Sequence, residues 1–263
     1  MIFRRSLLTT AAAVFGISLA VPALAQSALD DVLAKKVINI AIPTDFPPYG
    51  FVGTDLKPQG LDIDMALLIA AKLGVRVELL PVTSANRIPY LQTKKAELVI
   101  STLGKNAERE RVIDFTAAYS PFFQAVFAPK GVPIKGAGDL AGRSVAVTRG
   151  AIEDLELTKI APATAEIRRF EDNNTTVAAF VSGQVQALAT GASVAGNMMG
   201  RNPSLDAEYK FVLKDSPNFI GVNKGEDKLR TRVNEIIAAA KAAGELDALA
   251  KKWLGRPAGD LPQ

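Results

Sequence analysis

The sequence has 263 residues, 48% of them hydrophobic and 22% charged, with 31 Lys and Arg against 27 Asp and Glu for a formal charge of +4. It contains no cysteine, which excludes disulfides, thiolate nucleophiles and cysteine-ligated metals, and no histidine, which removes the usual general base, the Ser-His-Asp arrangement and the commonest transition-metal ligand. Carboxylate- or lysine-based chemistry survives, but the composition tilts toward binding over catalysis and implies no cofactor and no metal.

The chain opens as an export signal over residues 1–25: a basic end at Met1–Arg5, an apolar stretch at Leu7–Val21, and Ala23-Leu24-Ala25 before a cleavage point at Gln26. Thr9, Thr10, Gly16 and Pro22 interrupt the apolar stretch and no basic stop-transfer cluster follows, which favours a cleaved signal over an anchor and predicts a periplasmic protein. Arg4-Arg5 leaves the Sec and twin-arginine routes both open. Losing these two arginines lowers the formal charge from +4 to +2, spread along the chain, so no nucleic-acid partner is implied.

Beyond the signal, short β-rich runs alternate with helical patterns, the mark of an α/β fold. Val37–Ile42 is a strand. Asp62–Leu73 is a helix with apolar residues at three- and four-residue steps and Gly74 after its end. Val75–Val82 is a strand, Ala85–Lys94 a short helix and Leu98–Thr102 a third strand, giving a βαβαβ unit with a parallel sheet. A second unit follows, with strands at Phe123–Phe127, Ser144–Thr148, Glu166–Phe170 and Ala187–Thr190 and helices near Ala151–Lys159 and Thr175–Val181. Two helices close the chain, one striped by Leu229, Val233, Ile236, Ile237 and Ala240, the other by Leu246, Leu249, Ala250 and Trp253. Ligands of open α/β sheets bind at the carboxyl ends of strands, which singles out Thr44–Tyr49, Thr102–Arg111 and Arg149–Asp154. Pro43, Pro47 and Pro48 stiffen the first of these around Phe46.

Four segments resemble the extracellular solute-binding protein family 3, the polar amino-acid binders of ABC importers: Asp45-Phe46-Pro47-Pro48-Tyr49; Gly60-Leu61-Asp62-Ile63-Asp64 with the helix to Gly74; Glu108-Arg109 through Asp114-Phe115; and Gly244 to Trp253-Leu254-Gly255. They stand in the family's order over nearly the whole exported chain. The resemblance implies a type II periplasmic-binding-protein fold, with two α/β lobes joined by two crossover strands and the ligand cleft between them. Lobe 1 is then residues 26–121 and 216–263, and lobe 2 is 122–215. The implied partners are a small-molecule ligand, an amino acid or another carboxylate, and an ABC permease in the inner membrane, and the implied state is a monomer.

On that resemblance Arg109 is the carboxylate ligand, since a guanidinium offers a carboxylate two parallel hydrogen bonds; read alone, Glu108-Arg109-Glu110-Arg111 is a solvated helical charge run. The Thr102–Gly104 loop adds backbone donors, with Gly104 where many members carry a hydroxyl. Phe46 covers the ligand's aliphatic part and Tyr49 packs behind. Arg87 either reaches the ligand's side chain, favouring an acidic amino acid, or is a surface arginine at a helix start. Lys105 adds to the field or points to solvent. In lobe 2 the family's Gly-Thr-Thr reads Gly150-Ala151-Ile152, leaving only the amides of Ala151 and Ile152 for an anion. The family's ammonium-binding aspartate falls on Gly191. Glu153 or Asp154 then supplies the missing carboxylate, or merely complements the helix dipole, or the ligand is an organic acid without an ammonium. The alternatives in other classes are a periplasmic dehydratase of the cyclohexadienyl type, with Glu153 as general acid, and the sensory module of a receptor, against which the absence of an attached signalling domain argues.

Overall fold

A computed structural model describes residues 27–262; the expected signal segment, residues 1–25, lies outside the described residues. The described chain begins with a helix that hydrophobic patterning had not revealed, α1 (Ala28–Lys35). Ser27 starts it by a reciprocal cap: its hydroxyl accepts the Asp30 amide while the Asp30 carboxylate receives the Ser27 hydroxyl at 2.7 Å.

Lobe 1 continues through β1 (Val37–Ile42), the short strands β2 (Asp45–Phe46), β3 (Gly50–Val52) and β4 (Pro58–Gln59), α2 (Leu61–Leu73), β5 (Arg76–Pro81), α3 (Arg87–Gln92), β6 (Leu98–Leu103), α4 (Ala107–Glu110) and β7 (Ile113–Ser120). Lobe 2 is β8 (Phe123–Pro129), β9 (Ser144–Thr148), α5 (Ile152–Ile160), β10 (Glu166–Phe170), α6 (Asn173–Val181), β11 (Ala187–Gly191), α7 (Ala192–Arg201) and β12 (Ala207–Asp215). The chain then returns through β13 (Asn218–Asn223), α8 (Asp227–Ala242) and α9 (Glu245–Leu254). No helix among the described residues is long and apolar enough to cross a membrane.

Each lobe holds a five-stranded sheet, ordered β5-β1-β6-β13-β7 and β10-β9-β11-β8-β12. The parallel sheets expected from the sequence are in fact mixed. β5, β1 and β6 are parallel, as are β10, β9 and β11, but β13 runs antiparallel to both its neighbours and β8 antiparallel to β11 and β12. The reason is topological: the chain leaves lobe 1 along β7 and comes back along β13, so these two strands lie side by side with opposite directions. Ala85–Lys94 also differs, since a 3₁₀ turn at Ser84–Asn86 precedes α3. All of β6 is buried, as a central strand covered on both faces must be. The apolar core divides in the same way, one large cluster spanning β1, α2, β6, α8 and α9, and smaller clusters under β8, β9 and β11. Segments that follow β1, β6, β9 and β10 meet between the lobes, where Asp45 accepts from Asn173 and Arg109 donates to the Gly150 carbonyl.

Candidate functional site

The lobe-1 wall of the cleft is built around a buried carboxylate. Asp62, in the first turn of α2, accepts the Thr102 amide at 2.8 Å and the Tyr119 hydroxyl at 2.6 Å. Thr102 has φ of +44°, a left-handed conformation that costs a non-glycine residue about 1–3 kcal/mol. It is held there from both sides, because its carbonyl accepts from Arg87 at 3.2 Å. Arg87 is 3% exposed and donates Nε–H to Ser84, Nη1–H to Ser101 and Thr102, and Nη2–H to Gly150, all carbonyls. Burial lowers its pKa, with Glu153, Asp45 and Asp62 opposing.

Arg109 lies on α4, which Asn106 caps by accepting the Arg109 amide. Arg109 is 4% exposed, and its guanidinium donates Nη1–H to the Gly104 carbonyl at 2.6 Å and Nη2–H across the cleft to the Gly150 carbonyl at 2.9 Å. Burial, and then the like charge of Arg87, push it down to about 9, still a cation at neutral pH. Neither guanidinium has an ion-pair partner among the described residues, although burying a cation without one is costly.

Gly150 turns β9 into α5 with φ of +70°, and a Cβ there would lie 3.1 Å from the Ala85 backbone of the other lobe. Only glycine allows both the turn and this approach. At the start of α5 the amides are largely engaged: Gly150 donates to Asp154, Ala151 to the Thr148 carbonyl, and Glu153 to its own carboxylate. Asp154 is structural, since it also accepts Nε–H of Arg169 at 2.8 Å. Glu153 is different. It is 4% exposed, its Oε1 has no hydrogen-bond partner among the described residues, and burial pushes it up to about 7 against the pull of Arg87 and Arg109.

An aromatic wall completes the cleft. Phe46 stacks on Tyr49 at 6.1 Å between ring centroids, and Phe122 stands edge-on to Tyr49 at 5.2 Å. A cavity of about 10 Å³ is bordered by Phe46, Arg87, Thr102, Phe122, Ala151, Ile152 and Glu153. A second hollow of about 250 Å³ shares Ser84 and Arg87 with it and adds Arg109 and Gly150.

The structure thus brings Phe46, Arg87, Thr102, Ala151, Ile152 and Glu153 to one cavity and Arg109 to the hollow beside it. Gly104 packs toward Ile152, which a Cβ there would meet at 3.2 Å. One expectation needs correction, and two open alternatives are narrowed. The Thr102 amide is taken by Asp62 and the Ala151 amide by Thr148, so neither is a spare donor for an anion. Lys105 faces away, paired with Glu110 at 2.9 Å and lying over the Phe219 ring. Arg87 is buried, so the surface alternative for it fails. Asp62 and Phe122 were not singled out in the sequence. The first lay within the Gly-Leu-Asp-Ile-Asp segment, but an acid in a first helical turn is ordinary dipole complementation. The second gave no signal beyond its place at the crossover.

Residues 38–256 match the profile described as bacterial extracellular solute-binding proteins, family 3. Among curated relatives, an ABC transporter glutamine-binding protein, GlnH, of Bacillus subtilis (strain 168) is 30% identical over 200 residues, covering 74% of this chain and 72% of that protein. Among solved structures, an ancestral arginine-binding protein bound to arginine superposes with a TM-score of 0.79 at 32% identity, covering 84% of this chain and 99% of that one. An ancestral amino acid-binding protein, a precursor of cyclohexadienyl dehydratase, superposes with a TM-score of 0.77 at 29% identity, covering 86% and 99%.

Proposed function

Since the chain belongs to family 3 of the bacterial extracellular solute-binding proteins, we propose that it is the periplasmic substrate-binding component of an ABC importer, capturing a small carboxylate-bearing solute, an amino acid in first place. The observation that carries this reading is Arg109, a cation buried at the meeting of the lobes with only carbonyl partners. Two of its five N–H donors are engaged, which leaves a fork for a carboxylate. Residues 26–121 with 216–263 form lobe 1, and residues 122–215 form lobe 2. Ligand held by Arg109 on lobe 1 stabilises closure through contacts with α5 of lobe 2, and the closed form docks on the permease.

Thermal unfolding of the protein purified after expression of the full-length chain, with a panel of amino acids and organic acids, tests this. A ligand at 100 times its Kd adds about 2.7 kcal/mol, a shift of roughly 5–10 °C for a chain of this size. Arg109→Lys keeps the charge but not the fork and is expected to abolish the shift. The proposal is overturned if no carboxylate shifts the transition, or if Arg109→Lys leaves the shift intact.

A second reading is favoured by Glu153, a buried carboxyl with pKa near 7 beside two arginines, which suits a general acid. On this reading the chain is a periplasmic dehydratase of the cyclohexadienyl type; the similar precursor of cyclohexadienyl dehydratase is itself an amino acid-binding protein, so Glu153 alone carries it. Turnover decides between them: prephenate or arogenate consumed by the wild type and spared by Glu153→Gln makes it an enzyme, whereas binding without consumption makes it a carrier.

A further inference from the structure

We propose that the cleft takes the zwitterion of an α-amino acid with an uncharged side chain, its carboxylate on Arg109 and its ammonium on Glu153. The inference rests on the carboxylate-capturing role of Arg109 and adds the polarity and class of the ligand.

A carboxylate for the ammonium cannot come from position 191 at the end of β11. A Cβ on Gly191 would lie 2.3 Å from two ring atoms of Phe122, so the aromatic ring fills the direction in which a side chain from that position would grow. The neighbouring residue in the β8–β11 ladder is Gln124, wholly buried and uncharged; its amide oxygen is also without a partner among the described residues, but it offers an ammonium no charge. The start of α5 supplies the acceptor instead. A helix N-terminus ordinarily suits an anion, but here an internal carboxylate has taken that place, with Glu153 accepting its own amide. Gly150 and Ala151 spend their amides within the chain, on Asp154 and Thr148. Lobe 2 therefore offers the cleft a carboxylate oxygen beside the one amide, that of Ile152, for which no acceptor is found among the described residues, rather than a row of N–H groups. Oε1 of Glu153 is buried without a donor among the described residues, and an ammonium is the ligand group that satisfies it.

The groups facing Glu153 are Arg87 at the start of α3, Arg109 on α4, Asp154 beside it on α5 and the buried Tyr49 from the loop after β2. Arg87 does not provide a second carboxylate site. Four of its five N–H donors are bound to the carbonyls of Ser84, Ser101, Thr102 and Gly150, so no fork remains for an acidic side chain. Around the same cavity stand Phe46 and Phe122, surfaces for an apolar or aromatic side chain.

Isothermal titration calorimetry on the wild type and on Glu153→Gln tests the assignment, with L-leucine, L-phenylalanine and L-glutamate set against 4-methylpentanoate, 3-phenylpropanoate and glutarate. Glutamine keeps the size and one acceptor but not the charge, and unfolding temperatures verify that the variant folds. The expected result has three parts. Leucine or phenylalanine binds at least tenfold more tightly than its deamino partner and than glutamate. Glu153→Gln loses about 10- to 100-fold of that affinity while the deamino acids are unaffected. At pH 6.5, binding releases a proton in the wild type and not in the variant, because an ammonium stabilises the ionised carboxyl. A deamino acid that binds as tightly as its amino acid overturns the Glu153 assignment yet leaves carboxylate capture standing. Glutamate binding tightest overturns the uncharged side chain. Failure of every probe, in the wild type as well, overturns the underlying reading.

Discussion

Asp62 shows how a single residue prepares the cleft without facing a ligand. Its two oxygens receive the Thr102 amide and the Tyr119 hydroxyl, and the first of these fixes a threonine in the left-handed region at the end of β6. From there the Thr102 carbonyl meets Arg87, so the carboxylate, the strained residue and the guanidinium form one chain of contacts. Burial pushes Asp62 up to about 7 in spite of these hydrogen bonds, which shows desolvation outweighing them. Asp62→Ala orphans two buried donors at about 1–3 kcal/mol each and is expected to lower the unfolding temperature by several degrees. Asp62→Asn keeps an acceptor for the Thr102 amide and can donate to the Tyr119 oxygen, since a hydroxyl serves either way. The asparagine variant should therefore unfold within a degree or two of the wild type at neutral pH. Thermal unfolding of the two variants side by side checks this, and equal losses would mean that the contacts of Asp62 do not organise the cleft.

At the scale of elements, the cleft depends on how β9, β11 and the crossover end. The strands Val37–Ile42, Ser144–Thr148 and Glu166–Phe170 and the helix closed by Gly74 were legible because apolar periodicity and glycine caps are local signals. The short sheet β2-β3-β4, the antiparallel return along β13 and the helix α7 were not, because they are fixed by partners far away in the chain. The candidate site followed the same division. Arg109 and Phe46 stood in recognisable segments, whereas the engagement of the Ala151 amide and the place of Phe122 depend on contacts that spacing does not encode. Gly191 was noticed for the acid it lacks, and the structure supplies the reason: Phe122 occupies the space. Gly191→Asp must displace that ring and is expected to cost about 1–3 kcal/mol, in line with overpacking of a core. Phe122→Ala should be destabilising alone, but the double variant should recover part of the loss of Gly191→Asp. Additive losses in a double-mutant cycle by chemical denaturation would show that the two sites are not coupled.

Over the whole molecule, the two lobes are tied by polar contacts gathered around the cleft. Arg87 and Arg109 reach the Gly150 carbonyl, the Asp45 carboxylate accepts the Asn173 amide at 2.7 Å at the start of α6, and Lys214 donates to the Lys105 carbonyl at 2.9 Å. Placing ionisable groups in this region makes stability a function of pH. Asp62 and Glu153 are pushed up from 3.8 and 4.5 to about 7, first by burial. Between about pH 4 and pH 7 the folded chain therefore holds protons that the unfolded chain has lost, and stability falls as pH rises through this window. Each group contributes up to about 1.4 kcal/mol per pH unit there. The carboxylates with lowered values, Asp30, Asp114 and Glu166, act in the opposite sense: their contribution is present above the ordinary carboxylate range and is lost as pH falls from that range through their lowered values. The ligand-free protein is thus expected to unfold at a higher temperature at pH 5 than at pH 7.5, and the double variant Asp62→Asn, Glu153→Gln should flatten that difference. Melting curves at the two pH values decide the matter: a wild type as stable at pH 7.5 as at pH 5 would mean that both carboxyls ionise without cost in the folded cleft. An amino acid that ion-pairs with Glu153 should raise the unfolding temperature more at pH 7.5 than at pH 5, because at the higher pH it removes a cost that the free protein bears.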